Sequence, residues 1–240
     1  MHSPFVFDFI LNVLNNKNNY QAPPEIEQLR KELLGDQRII EVEEMGAGSR
    51  TAAAKQRSVS QIAKSALKSE RLAQVLFRLV KHYQPQNIFE LGTSLGLSTS
   101  YLSKANEFSS LITIEGNGPT AKIAKENFEK LDCHNIQLLQ GNFDNLLPSV
   151  ISQLSAIDLA YIDGNHRYEP TINYFHQFLS KSHNQTILVF DDIHWSTEME
   201  KAWEAIKLHP LVQYTIDIFF LGFVFFRNDF KVKQNFLIRF

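Results

Sequence analysis

From Leu72 onward the apolar positions Leu72, Val75, Leu76, Leu79 and Val80 fall on one helical face, and Pro85 ends that helix. Beyond Pro85 short apolar runs alternate with helical spacings. Residues 88–91, 111–115, 136–139, 157–162 and 186–190 read as strands, each closed within two residues by a glycine or an acidic residue. Helices are expected over 97–105, from Pro119 with Ile123, Ala124, Phe128 and Leu131 inward, and from Pro170 with Ile172, Phe175 and Leu179 inward. A further helix follows Ser196 or Thr197, with Thr197 and Glu200 spaced as a capping box and Met199, Trp203 and Ile206 as its stripe. Two strands with little between them, 214–219 and 223–227, come last. Residues 1–85 read as helical, with Ile26, Leu29, Leu33 and Leu34 at helical spacing and breaks at Pro23-Pro24 and at Gly46-Ala47-Gly48-Ser49.

Five strand–helix units imply a parallel sheet covered by helices on both faces. A parallel crossover needs a dozen or more residues, so one of the two final strands must run antiparallel. The expected fold is α/β: a doubly wound, mostly parallel, Rossmann-like sheet over 72–240 with a C-terminal antiparallel strand, preceded by a helical extension, 1–71.

In such sheets ligands bind beyond the carboxyl ends of the strands. The first such turn is Glu90-Leu91-Gly92-Thr93-Ser94-Leu95-Gly96-Leu97-Ser98, where Gly92 and Gly96 permit close approach and Glu90 can accept from an amine. Glu115, followed by Gly116, ends the next strand 23 residues after Gly92 and can receive both hydroxyls of a ribose. The pyrophosphate fingerprint G-x-G-x-x-G is absent after the first strand. After the third strand, Gly141-Asn142-Phe143 can frame a base, Asn142 by a hydrogen bond and Phe143 by stacking, although Phe143 is equally a core residue. The fourth strand ends in Asp163-Gly164-Asn165-His166-Arg167-Tyr168 and the fifth in Asp191-Asp192-Ile193-His194-Trp195. As neighbours about 4.8 Å apart, these tips bring three carboxylates and two imidazoles into one small volume. Three bare carboxylates repel, and a hard divalent cation, Mg²⁺ or Ca²⁺, held by Asp163, Asp191 and Asp192 removes the conflict. Acidic strand ends also occur without any metal.

Composition narrows the setting. Apolar residues make up 44% and charged residues 21%, which excludes a disordered or fibrous chain. A net charge of −2 argues against nucleic acid as the main partner. A single cysteine, Cys133, excludes an internal disulfide and a cysteine metal cluster, and points to the cytoplasm. The apolar stretch 5–14 carries Asp8 and is too short to span a bilayer. Between Arg50 and Arg71 lie six basic residues and one acidic. Arg57, Lys64, Lys68 and Arg71 fall near one side of an expected helix, a solvated face or a patch for an anionic partner.

Over roughly 72–227 these motifs resemble class I S-adenosylmethionine-dependent methyltransferases. The resemblance implies that Glu90, Gly92, Ser94, Gly96 and Ser98 hold the methionine end of the cofactor, that Glu115 and Gly116 take the ribose, and that Gly141, Asn142 and Phe143 frame the adenine, with Asp163 facing the same crevice. The D-G-x-H-x-Y and D-D pair looks like the O-methyltransferase branch that includes catechol and antibiotic-sugar enzymes. In metal-dependent members the positions of Asp163, Asp191 and Asp192 hold Mg²⁺. Some relatives carry a carboxylate base two residues after the first Asp; here that residue is Asn165, which shifts the base to His166 or His194. His2-Ser3-Pro4-Phe5-Val6-Phe7 and Gly46–Arg50 look like segments of uncharacterised bacterial methyltransferase-like proteins.

The expected activity is therefore methyl transfer to a small-molecule hydroxyl, with metal assistance an option and the oligomeric state, a homodimer included, left open. Two other readings compete. One is a non-catalytic cofactor-binding or assembly protein of the same fold. The other is a serine hydrolase, because Gly92-Thr93-Ser94-Leu95-Gly96 matches G-x-S-x-G on a strand–helix turn.

Overall fold

The computed structural model describes residues 3–16, 20–42 and 55–240. His2 and Gly46–Arg50 lie outside the described residues. In chain order the elements are α1 (Pro4–Phe9), a π-helical turn (Ile10–Leu14), α2 (Pro24–Gly35), β1 (Ile39–Val42), β2 (Lys55–Ser58), α3 (Val59–Ala66), α4 (Glu70–Tyr83) and β3 (Asn87–Leu91). There follow α5 (Leu97–Ala105), β4 (Ser110–Glu115), α6 (Gly118–Lys130), β5 (Ile136–Gln140), α7 (Phe143–Gln153) and β6 (Leu159–Ile162). The chain then runs through α8 (Tyr168–Leu179), β7 (Ile187–Asp191), α9 (Thr197–Leu208), β8 (Tyr214–Asp217), β9 (Leu221–Phe225) and β10 (Gln234–Leu237). Among the described residues no helix is long and apolar enough to cross a membrane.

The chain groups into two compact units. One holds the described residues of Met1–Glu44 and Thr51–Gln86, together with Thr93–Gln140. In it β4 pairs in parallel with β5, β1 pairs antiparallel with β2, and α4 packs on α5. The other holds Asn87–Gly92 and Gly141–Phe240. There β3, β6 and β7 are parallel neighbours, β9 runs antiparallel to both β7 and β8, and β10 adds in parallel to β8. Helix α7 packs on α8, and α8 on α9. The reversed strand expected at the C-terminal end is β9. Every residue of β6 and β7 is buried, which is why these strands read as unbroken apolar runs rather than alternating ones.

Several elements differ from the sequence expectation. The first 85 residues are not all helical: β1 and β2 form a ladder, Ile39 opposite Ser58. β1 is only four residues long, too short for its alternation to stand out. The basic run is not one helical side. Arg57 lies on β2, Lys64 on α3, Arg71 on α4, and Lys68 in the break between those helices. α7 was not anticipated, because Pro148 interrupts its pattern; Leu147 and Ile151 still bury its inner face. On α8 the buried residues are Thr171, Tyr174, Phe175 and Phe178, while Ile172 and Leu179 sit half-buried at its flanks. The face turns so that the buried Tyr174 ring reaches polar partners at its rim, its hydroxyl donating to Asp144 at 2.8 Å and accepting from Asn165 Nδ2 at 3.2 Å. On α9 the N-cap is Ser196, whose hydroxyl accepts from the Met199 N–H; Thr197 is the first helical residue, so the Thr197–Glu200 capping box does not form. β10 is additional, a short and mostly exposed edge strand.

Candidate active site

The register of β6 on β7 sets the acidic tips side by side. Ile162 pairs with Phe190, so the next residues, Asp163 just past β6 and Asp191 at the end of β7, stand at the same level. Asp191 is fully buried and Asp163 only partly so. The Tyr161 hydroxyl, one strand position before Ile162, donates to Asp163 Oδ2 at 3.0 Å. Burial pushes the Tyr161 phenol well above its ordinary pKa, and the charges of Asp163, Asp191 and Glu90 push it further. Glu90 lies opposite Tyr161 in the β3–β6 register and is fully buried. The sequence points to Asp163, Asp191 and Asp192 together; the three carboxylates that act on Tyr161 are Asp163, Asp191 and Glu90.

A compact ligand set exists here. Asp163, His166 and Asp191 each offer an atom, all within 4.8 Å of one another. His166 Nε2 stands 3.6 Å from Asp163 Oδ1. Asp192 is not in this set; it adopts a left-handed backbone (φ 51°), and its N–H donates to the Phe220 carbonyl at 2.8 Å. The two histidines part company. His194 Nε2 bonds Asp217 Oδ2 at 2.8 Å, and the ring stacks on Phe219. Asp217 Oδ2 also accepts from the Trp203 indole at 3.1 Å, and Oδ1 accepts from the Phe219 N–H at 2.8 Å. Asp217 is thus a hub that holds the β8–β9 turn and orients His194. Neither Tyr161 nor Asp217 stands out in the sequence, because each lies within an apolar strand run.

Glu115 ends β4 with its carboxylate held by main-chain donors. Oε2 accepts from the Ser94 N–H at 2.7 Å and Oε1 from the Asn117 N–H at 2.8 Å. The carboxylate keeps acceptor capacity for a hydroxyl beyond its main-chain bonds. Burial raises the Glu115 pKa above its ordinary 4.5, and the N–H bonds from Asn117, Ser94 and Gly116 partly offset this. Ser94 takes a left-handed conformation (φ 49°) to aim its N–H there. Ser98 is the second residue of α5 and is half-buried. Among the described residues the Ser94 hydroxyl bonds no histidine, and its N–H is engaged by Glu115.

The glycines are explained first by the protein itself. A Cβ on Gly92 would lie 2.0 Å from the Asp163 carbonyl oxygen, and one on Gly96 would lie 2.5 Å from the Phe128 ring. Gly141 has a positive φ (151°) and abuts Leu146. Asn142 caps α7, its side chain accepting from the Asp144 N–H at 2.8 Å. The Phe143 ring packs against Gly164 and meets Tyr174 edge-on. Its half-buried edge is what remains to meet a ligand.

Comparison with known proteins agrees with this layout. Residues 89–193 match the family described as "Methyltransferase domain". A catechol O-methyltransferase of Niastella koreensis is 29% identical over 113 residues, 46% of this chain and 50% of that protein. The transmembrane O-methyltransferase of Homo sapiens is 32% identical over 94 residues, 37% of this chain and 32% of that protein. The chain therefore spans half or less of the length of these curated relatives. The O-methyltransferase from Bacillus cereus, solved in complex with SAH, superposes with a TM-score of 0.63 at 17% identity, over 92% of this chain and 97% of that one. A methyltransferase from Podospora anserina, also SAH-bound, gives a TM-score of 0.66 at 12% identity, over 95% and 98%. The chain has the class I methyltransferase fold and resembles the O-methyltransferases.

Proposed function

We propose that this chain, a class I methyltransferase by fold, transfers a methyl group from S-adenosylmethionine to a hydroxyl of a small molecule with a divalent cation at Asp163 and Asp191. The observation that carries the reading is the Asp163–His166–Asp191 set at the carboxyl ends of two parallel strands. Residues 72–240 are the proposed catalytic domain and 1–71 its extension. The single, buried Cys133 suits a reducing cytosol.

When bound, S-adenosylmethionine supplies a methyl on a sulfonium whose leaving thioether is neutral, so the protein need provide no acid. In this reading Glu115 accepts the ribose hydroxyls, the Glu90–Ser98 turn takes the methionine end, and Gly141, Asn142 and Phe143 border the adenine. The donor set of two carboxylate oxygens and one imidazole nitrogen fits a divalent cation, and the nitrogen admits Mn²⁺ alongside Mg²⁺ and Ca²⁺. Such a cation lowers the pKa of a coordinated hydroxyl and orients it. Tyr161 fixes Asp163 by engaging Oδ2, which leaves Oδ1 on the side of His166. Asp192 remains a further proposed ligand.

Titration calorimetry with S-adenosylhomocysteine tests the cofactor half. Glu115→Ala is expected to weaken binding about 100-fold, the equivalent of one or two charge-assisted hydrogen bonds of about 1.5–3 kcal/mol each, less what water restores. The raised pKa adds a pH signature. Glu115 takes up its proton in the folded protein above 4.5, so affinity falls as the pH drops through that raised pKa. Glu115→Gln should bind weakly at every pH and lose that dependence. Binding of NAD in place of S-adenosylhomocysteine would overturn the reading.

His194, and His166 where carboxylates alone hold the cation, are the proposed proton acceptors, and they separate by phenotype. His166→Ala is expected to lower turnover about 100-fold or more, with the melting temperature little changed. His194→Ala removes a partner of Asp217 and should also destabilise the fold by about 1–3 kcal/mol. Normal turnover in His166→Ala together with loss in His194→Ala would assign the acceptor role to His194. Cofactor binding with no methylation of any hydroxyl acceptor would favour the non-catalytic alternative.

A further inference from the structure

The tip of the β8–β9 hairpin is built against the usual chemistry of such turns. Phe219 stands at φ +76°, a conformation that hairpin tips ordinarily give to glycine, asparagine or aspartate and that strains a bulky side chain. Its N–H donates to Asp217 Oδ1 at 2.8 Å, which holds the turn in that form. Burial does not offset the strain, because Phe219 is 58% exposed and its neighbour Phe220 is 50% exposed. Trp195, on the loop after β7, is 74% exposed.

The three aromatic residues are anchored at one point beside the candidate cation set. Asp191 pairs with Leu221 in the β7–β9 register, so Phe220, one residue earlier, stands level with Asp192. The Asp192 N–H donates to the Phe220 carbonyl at 2.8 Å, and the Trp195 N–H donates to the Asp192 carbonyl at 2.9 Å. One residue of main chain thus ties both aromatic segments to the carboxyl end of β7, immediately past Asp191. The Phe219 ring meets Phe220 edge-on at 5.0 Å and stacks on His194 at 5.3 Å, with planes 24° apart. Phe219 therefore joins the exposed aromatic residues to a proposed proton acceptor.

We propose that Trp195, Phe219 and Phe220 form the acceptor subsite and that it takes a planar aromatic ring carrying the hydroxyl, rather than a sugar. The assignment rests on the methyltransferase reading and narrows it. Strain retained in an exposed ring points to a function outside folding, and exposed apolar residues gathered at a strand's carboxyl end are a place where a ligand supplies the missing contact. Aromatic faces stack on flat rings and offer a sugar no hydrogen-bonding partner. A second copy of the chain seated here would cover the end of β7, which the acceptor must reach.

The full chain is titrated by calorimetry with naphthol, a planar alcohol that cannot chelate a cation, and separately with methyl glucoside, each with and without S-adenosylhomocysteine. Saturable naphthol binding is expected, with the glucoside at least tenfold weaker. Trp195→Ala should weaken naphthol binding about tenfold. Phe219→Asn gives the left-handed position a residue suited to it, and should weaken naphthol binding several-fold without lowering the melting temperature. A ring that served only packing would give the reverse, a lower melting temperature and unchanged affinity. No naphthol binding in either condition, tighter binding of the glucoside, or unchanged affinity in both variants overturns the proposal. Dimerisation in sedimentation that Trp195→Ala abolishes would assign the patch to a second copy and overturn it as well. S-adenosylhomocysteine that fails to bind, with naphthol binding intact, would instead overturn the methyltransferase reading.

Discussion

Asp191→Asn is expected to abolish stabilisation by divalent cations and to lower methyl transfer about 1,000-fold, without lowering the stability of the metal-free protein. The sign of the last effect is the informative one. Asp191 is fully buried, and its charge acts on the same Tyr161 phenol as those of Asp163 and Glu90. Removing one of three converging negative charges relieves repulsion, while the isosteric amide keeps the packing. A cation that binds only the folded state stabilises it by about 2.7 kcal/mol at one hundred times its dissociation constant. Thermal melts of the wild type in Mg²⁺, Ca²⁺ and Mn²⁺ should therefore shift upward, chelator should reverse the shift, and Asp191→Asn should show none. Preference for Mn²⁺ would place His166 among the ligands, and a strict oxygen-ligand preference would favour Asp192 instead. An unchanged wild-type melt in every metal, with S-adenosylhomocysteine present, would leave a metal-free transferase.

Gly92→Ala is expected to cost about 3–5 kcal/mol, measured by urea unfolding, even though it adds only a methyl group. Two independent penalties combine. The backbone stands at φ +99°, where a side chain is strained. The new Cβ would also lie 2.0 Å from the Asp163 carbonyl oxygen, a backbone atom that cannot swing aside. That atom is fixed because the Asp163 N–H donates to the Leu91 carbonyl at 2.8 Å, locking the tips of β3 and β6 together. Any relief of the clash must move Asp163, so metal response and turnover should fall with stability. Gly35→Ala is the control. Gly35 ends α2 with open space around its Cβ position, and alanine there should stabilise by about 0.5–1 kcal/mol. Equal behaviour of the two variants would refute the close approach at Gly92.

Much of this site is legible from short stretches of sequence. Glu115, Asp163 and Asp191 are identifiable because an acidic residue after a buried apolar run marks a strand's carboxyl end, a relation that spans only a few residues. The same holds for the helix stripes of α6 and α9, where Phe128 and Trp203 are buried as their spacing requires. Local pattern also determines that a short final connection must reverse a strand, since no parallel crossover fits it.

The rest depended on partners far apart in the chain. Spacing reports that a residue is buried but not which atom it meets, so α8 turned toward Tyr174 once Asp144, 30 residues away, offered an acceptor. The β6–β7 register puts Asp163 level with Asp191 across 28 residues, and the β3 register adds Glu90 to their surroundings. Two histidines, each three residues beyond an aspartate, are rivals in the sequence, with His166 ahead only for the glycine in its loop. Tertiary structure separated them, because Asp217 at the end of β8 captured His194, while His166 was left beside Asp163 and Asp191. The physical reason is common to all these cases. Element type follows from burial periodicity and local sterics, whereas the company a polar group keeps is settled by strand register and packing, which no single segment contains.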